Sequence, residues 1–169
     1  MSDFNLQQFY QDKFYEPALV SKIGENDSVL SLIRDLRPNG NVFRQIHQLL
    51  EQLSAIEKCE ISNILSQADE ILENSKLNRK EKISKFKKFL EKKRYPMRFE
   101  IEDKLEIEIK EIYKKYAVNV SVPKELEGDT LDLNFKIKGT RDLSKKQAKL
   151  KELFSSKEIK KIFSILDGE

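Results

Sequence analysis

Apolar residues recur at helical spacing through the first half of the chain. Within residues 28–36, 42–56 and 61–72 they fall three, four or seven positions apart, which places them on one face of an amphipathic helix. The segment Pro38-Asn39-Gly40-Asn41 is predicted to form a turn between the first two helices, because proline cannot continue a helix and Asn-Gly accepts positive φ. The aromatic residues of 3–15 predict a short helix or an aromatic arm. This pattern predicts an N-terminal helical bundle.

A fourth amphipathic helix is predicted over residues 78–94. Asn78 is followed three residues later by Glu81, which is typical of a capping box at a helix start. Pro96 ends the helix. The apolar face of this helix is narrow and consists of Ile83, Phe86, Phe89 and Leu90. In residues 99–116 some apolar residues alternate with polar ones, as in a strand, while others recur at the spacing of a helix. Glu–Lys pairs four positions apart favour the helix.

The period of the pattern changes in the last third of the chain. Apolar residues alternate with polar ones in 118–122 and again in 131–137, around a loop that contains Gly128. This predicts a two-stranded antiparallel ribbon that needs cover, because two strands alone are only marginally stable. Two further helices are predicted to begin near Ser144 and near Ser156.

These elements predict a mostly helical α+β fold. It consists of an N-terminal helical bundle and a small helix-strand-strand-helix unit with a two-stranded antiparallel ribbon. The predicted divisions are an acidic bundle over residues 1–75, a basic bridging helix over 76–98 and an αββα unit over 99–169, which is a possible dimerisation module.

Charge is distributed very unevenly over these three divisions. The 169-residue chain has a formal net charge of only +3. Residues 1–75 hold 6 Lys or Arg against 12 Asp or Glu, residues 76–98 hold 11 against 2, and residues 99–169 hold 15 against 15. The positive charge is therefore concentrated in one segment of 23 residues, which predicts attraction to a polyanion.

The basic segment predicts a nucleic-acid-binding surface, since each phosphate neutralised by lysine or arginine releases counterions. We expect Lys80, Lys87 and Arg94 to face solvent on one side of the helix, together with their neighbours Lys76, Arg79 and Lys88. The flanking positions are Lys82, Lys85, Lys92 and Lys93. Tyr95 and Arg98 would add a stacking surface and a guanidinium fork. The candidate binding residues are Lys76, Arg79, Lys80, Lys87, Lys88, Lys92, Arg94, Tyr95 and Arg98.

The same lysines are compatible with two other partners. They can pair with an acidic protein surface, either that of a partner or that of the chain's own N-terminal half. They can also bind an anionic membrane surface, but an interfacial helix must give its apolar face to lipid, and this helix needs that face for the core.

Candidate catalytic groups are few. His47, the only histidine, lies beside an apolar stripe and is interpreted as a surface or boundary residue. Cys59, the only cysteine, would have a lowered pKa if it lay at a helix N-terminus, but a boundary position is the preferred interpretation. The five glycines form no phosphate-binding motif. The carboxylates of residues 100–108 are typical of a solvated helix face rather than of a metal site. We therefore predict a non-enzymatic protein without catalytic residues, metal or cofactor.

The apolar runs are only two or three residues long, far short of the roughly 20 needed to cross a bilayer. The first 20 residues also lack the basic-then-apolar layout of a secretion signal. A cytoplasmic protein without a transmembrane segment is therefore expected.

Residues 99–169 contain, in order, IEDKLEIEIKEIYKKY, VNVSV, EGDTLDLNFKI and KEIKKIFSIL, a helix that leads into a two-stranded ribbon and a final amphipathic helix. This order resembles the C-terminal dimerisation module of ParB-type chromosome-partitioning proteins. The helix predicted over 144–154 is an addition to that module. The resemblance implies self-association and DNA contact without sequence specificity, and no individual binding residue is carried over from it.

Taken together, these features predict a nucleic-acid-associated accessory protein. It would contact the DNA backbone through the basic helix and form a homodimer through the C-terminal unit. The alternative is a protein–protein adaptor whose basic helix binds an acidic partner surface.

Overall fold

The computed structural model describes residues 5–24, 26–123, 126 and 130–168. The chain divides into two compact units, Met1–Pro96 and Met97–Glu169. The fold is mostly helical with one small antiparallel sheet, so the predicted α+β class is confirmed.

Within the described residues, the first unit is a bundle of two long helices, of 18 and 16 residues, and five shorter ones. Asparagine caps the start of four of them, accepting hydrogen bonds from the backbone N–H groups of the first helical turn. The helices are α1 (Leu6–Asp12), α2 (Pro17–Gly24), α3 (Asp27–Leu36), α4 (Gly40–Glu57), α5 (Ile61–Ser66), α6 (Asp69–Leu72) and α7 (Arg79–Arg94).

The core of this unit is centred on α4, whose apolar stripe includes the fully buried Phe43, Ile46 and Leu50. Helix α7 packs against α4 and also touches α3 and α6. It contributes Phe86 and Leu90, both fully buried. The basic helix is therefore part of the first unit, and its buried side chains fix how it is rotated about its own axis.

The second unit contains α8 (Pro96–Tyr116), β1 (Asn119–Ser121), β2 (Asp132–Asn134), α9 (Thr140–Phe154) and α10 (Lys157–Asp167). The two strands are antiparallel, with Val120 opposite Leu133. Helices α8, α9 and α10 cover one side of this ribbon and share its core. Two strands alone would be marginal, so the shared core stabilises them.

Four local features differ from the expectations. The helix predicted over 61–72 is broken into α5 and α6, and α2 was not predicted. Gly40 is the first residue of α4 and not a positive-φ turn residue; it is needed because a Cβ there would come within 2.3 Å of the carbonyl oxygen of Phe14. Helix α9 begins at Thr140, earlier than Ser144. The predicted loop residue Gly128 lies outside the described residues.

Candidate nucleic-acid interface

Helix α7 has a strongly defined start. The Asn78 side-chain oxygen accepts from the Glu81 N–H at 3.1 Å, and the Glu81 carboxylate accepts from the Asn78 N–H at 2.9 Å. This is the capping box that the sequence predicted. Because Glu81 is engaged in the cap, its carboxylate is held at the first turn of the helix.

One side of α7 directs its cations to acceptors elsewhere in the first unit. The Lys87 Nζ lies 2.7 Å from the amide oxygen of Gln45 and 3.5 Å from the carboxylate of Glu91. The Arg94 Nε donates to the amide oxygen of Gln52 at 3.0 Å. These two cations therefore have protein partners.

Two further lysines are also engaged. The Lys93 Nζ lies 3.0 Å from the Glu57 carboxylate and donates to the Gln67 side chain. The Lys82 Nζ donates to the carbonyl oxygen of Leu72, close to the end of α6. Lys82 and Lys93 thus tie α7 to the segments that precede it in the chain.

The other side of α7 directs its cations to solvent. Lys85, Lys88 and Lys92 follow one another at intervals of three and four residues and are all exposed. This spacing aligns them along one side of the helix, away from Phe86 and Leu90. Among the residues that the structure describes, none of the three lysines has a hydrogen-bond or ion-pair partner. We call these three residues the lysine row.

Three more exposed cations surround the start of the helix. They are Lys76, Arg79 and Lys80, whose side chains also have no ion-pair or hydrogen-bond partner within the described ranges. Together with the lysine row they make six cations in residues 76–92 that are open to water.

The structure corrects the expected orientation of two candidate residues. Lys87 and Arg94 were expected to face solvent, but both are half-buried and bonded to glutamines of α4. The reason is helical spacing: Lys87 is four residues after Ile83 and Arg94 is four after Leu90, so both border the buried face. Lys85, which the sequence analysis left out of the candidate set, belongs to the exposed face. Its spacing from Lys88 and Lys92 was the available signal.

The last candidate residues lie at and beyond the end of α7. Tyr95 is the residue that ends the helix, and the residue is 40% exposed. The guanidinium carbon of Arg94 lies 4.7 Å from the centre of that ring, a cation–π arrangement. Arg98 belongs to the second unit, where its Nε lies 2.8 Å from the carboxylate of Glu102.

A groove runs between α4 and α7 beside the lysine row. It has a volume of about 290 Å³. Its lining consists of Gln45, Gln48, Leu49 and Gln52 of α4 together with Lys87, Glu91 and Tyr95. The groove is thus rich in side-chain amides and ends at an exposed aromatic ring.

Known proteins provide no further guide to this surface. No family model, curated protein or solved structure matches the chain.

The two candidate catalytic side chains lie elsewhere in the first unit. His47 was expected at the surface or boundary but is buried, because it lies four residues after the buried Phe43 on the same face of α4. Its Nδ1 lies 3.4 Å from the Glu51 carboxylate. Burial lowers the pKa of His47, while Glu51 acts in the opposite direction. Cys59 is half-buried, with its Sγ 4.0 Å from a Glu57 oxygen. Within the described residues, the side-chain partners of both are carboxylates, Glu51 for His47 and Glu57 for Cys59, and the two candidates are not paired with each other as a nucleophile and base would be.

The remaining expectations concern metal binding and membrane spanning in the part of the chain that the structure describes. In that part of the chain, no group of three or more His, Cys, Asp or Glu side chains has an arrangement that could hold a metal ion. Nor is any helix there both long and apolar enough to cross a bilayer.

Proposed function

We propose that this protein is a non-enzymatic, nucleic-acid-associated accessory protein that contacts the phosphate backbone through α7 and self-associates through its second unit. The observation that carries the first part is the set of six exposed cations in residues 76–92, none of which has a partner in the described part of the chain.

The lysine row has suitable dimensions for a phosphate backbone. From Lys85 to Lys92 the helix rises by about 10 Å, at roughly 1.5 Å per residue. One DNA strand carries about three phosphates over the same axial distance. Lysines bind phosphates as point charges and give no base readout, so binding without sequence preference is expected.

Self-association is supported by an apolar groove in the second unit. It lies between α9 and the segment that follows β2, and its volume is about 400 Å³. Leu143 and Phe154 on its margin are 53% and 61% exposed. Exposed apolar side chains grouped in this way are typical of interaction sites, and a second copy of the chain is the proposed occupant.

The backbone contact is tested by salt-dependent binding of a labelled mixed-sequence duplex, measured by fluorescence anisotropy between about 50 and 200 mM salt. The test variant is Lys85→Glu/Lys88→Glu/Lys92→Glu. The matched control, Lys145→Glu/Lys149→Glu/Lys160→Glu, makes the same change in charge at exposed lysines of the second unit.

If the lysine row neutralises about three phosphates, the logarithm of the affinity falls with a slope of roughly −3 against the logarithm of salt concentration. The test variant should lose at least about 100-fold in affinity at the lowest salt concentration, while the control stays close to wild type. Equal binding by the test variant and the wild type would refute the proposed interface.

The adaptor alternative predicts a different result in the same assay. A polyglutamate peptide carries negative charge without phosphates or a helical backbone geometry. If it binds at the lysine row more tightly than the duplex at equal salt, the surface is one for acidic proteins.

Self-association is tested by sedimentation of the full chain. Phe154→Glu places a charge in the apolar groove and should convert a dimer into a monomer. Phe14→Glu, at the exposed phenylalanine of the first unit, is the matched control and should leave the dimer intact. A wild-type chain that stays monomeric at high concentration would contradict this part of the proposal.

A further inference from the structure

The groove between α4 and α7 differs in charge from the lysine row beside it. Its lysine, Lys87, lies near the Glu91 carboxylate and donates to Gln45. Arg94 at its end donates to Gln52. Because these cations are already engaged, the groove offers little to a phosphate. It suits a neutral ligand that forms hydrogen bonds.

The groove does offer the two groups that recognise a flat, polar ligand. Tyr95 is exposed, and the Arg94 guanidinium lies over its ring, 4.7 Å from the centre, so one face of the ring is covered and the other is the candidate stacking surface. The Gln48 amide is exposed and has no hydrogen-bond partner among the described residues, so one acceptor and two donors are available. Leu49 provides a buried apolar floor.

Tyr95 also lies in line with the lysine row. It follows Lys92 by three residues and Lys88 by seven, the spacing that places helical residues on one side. Its own N–H still donates to the Glu91 carbonyl oxygen at 2.8 Å, so it continues the last turn of α7. A polyanion that follows the lysines along the helix therefore arrives at the aromatic ring.

We infer that this groove binds an unpaired nucleobase, so that the preferred ligand of the protein is single-stranded nucleic acid. The base stacks on Tyr95 and meets the Gln48 amide at its edge, while Lys88 and Lys92 hold the flanking phosphates. The bases of a duplex are stacked and paired and are not available to such a groove. This inference rests on the proposed function and adds to it the form of the ligand.

The test compares two labelled ligands that differ only in their bases. One is a thymidine oligonucleotide of about 12 nucleotides, and the other is an abasic oligonucleotide of the same length. The variants are Tyr95→Leu, which removes the ring, and Tyr95→Phe, which keeps it. Tyr113→Leu, at an exposed tyrosine of α8, is the matched control.

Wild-type protein should bind the thymidine oligonucleotide roughly tenfold more tightly than the abasic one, because stacking adds to phosphate contact. Tyr95→Leu should remove that difference and leave abasic binding unchanged. Tyr95→Phe and Tyr113→Leu should behave as wild type. Gln48→Ala should cause a smaller loss, again confined to the ligand with bases.

The two possible failures are distinguishable. Equal wild-type affinity for both ligands overturns the base-binding groove and leaves the phosphate interface standing. No binding of either ligand at low salt overturns both proposals. Lys85→Glu/Lys88→Glu/Lys92→Glu should weaken both ligands alike. The comparison is repeated with a uridine oligoribonucleotide and its abasic counterpart, to distinguish RNA from DNA as the ligand. A base-dependent difference in affinity for either nucleic acid supports the inference, and the larger difference identifies the preferred one.

Discussion

Lysines lie on both sides of α7, but those on one side bind acceptors of the protein and those on the other side are open to solvent. Lys93 lies 3.0 Å from Glu57 and has a side chain that is 25% exposed, whereas its neighbour Lys92 is exposed and has no partner in the described ranges. Lys87, which donates to Gln45, and the exposed Lys88 repeat this contrast earlier in the helix. A count of lysines therefore overstates the charge available to a ligand. What matters is which side of the helix each lysine occupies.

The largest effect is expected from the apolar residues that set the rotation of α7. Phe86→Ala leaves a cavity at a fully buried position and should lower the free energy of unfolding by about 3–5 kcal/mol. Chemical denaturation followed by circular dichroism measures it. Lys85→Ala, one residue earlier and exposed, is the control and should stay within about 0.5 kcal/mol of wild type. A change below about 1 kcal/mol for Phe86→Ala would mean that α7 does not share the core.

The next largest effect on stability is expected from the capping box of α7. Asn78→Ala removes the side-chain acceptor that the Glu81 N–H uses and should cost about 1 kcal/mol in unfolding free energy. Asn78→Ser keeps an acceptor at the same position and should recover most of that loss. If both variants are as stable as wild type, the start of α7 is held by other contacts.

Lys92 and Lys93 should differ in opposite directions in two measurements, the free energy of unfolding and the affinity for an oligonucleotide. Lys93→Ala loses a partly shielded ion pair and should reduce stability by roughly 0.5–1 kcal/mol, with little change in oligonucleotide affinity. Lys92→Ala should leave stability within about 0.5 kcal/mol of wild type and weaken binding several-fold. The opposite result would reverse the assignment of the two sides.

The smallest effect is expected at Glu81. Glu81→Gln removes a negative charge near the lysine row while keeping an oxygen that accepts from the Asn78 N–H. Binding of the thymidine oligonucleotide at low salt should strengthen by about twofold, as expected for one charge several ångströms away in water. Unchanged thermal stability confirms that the cap is intact. Weaker binding would show that the carboxylate of Glu81 contributes to binding instead of opposing it.

Several features of the fold could be predicted from the sequence. The capping box at Asn78, the burial of Phe86 and Leu90 and the ribbon near Val120 all depend on residues close together in the chain. Local periodicity and capping chemistry are sufficient for such features. The split of 61–72 and the start of α9 are helix boundaries, which packing shifts by a few residues.

The candidate site was predictable only in part. The segment 76–98 was identified by its charge, but the expected solvent side was drawn through Lys87 and Arg94. Their partners Gln45 and Gln52 are each 42 residues away in the chain. Helical spacing from Phe86 and Leu90 indicates that Lys85, Lys88 and Lys92 lie on the open side, but no local pattern contains the acceptors that engage Lys87 and Arg94.

By itself, the sequence determined where most of the helices and the two strands form, that the fold is mostly helical, and that positive charge is concentrated in one helix. Only the tertiary structure decided how α7 is rotated, which of its cations are engaged and where a groove lies beside them. The physical reason is that a helix buries one face against its neighbours. Which side chains then meet an acceptor depends on residues brought from distant parts of the chain.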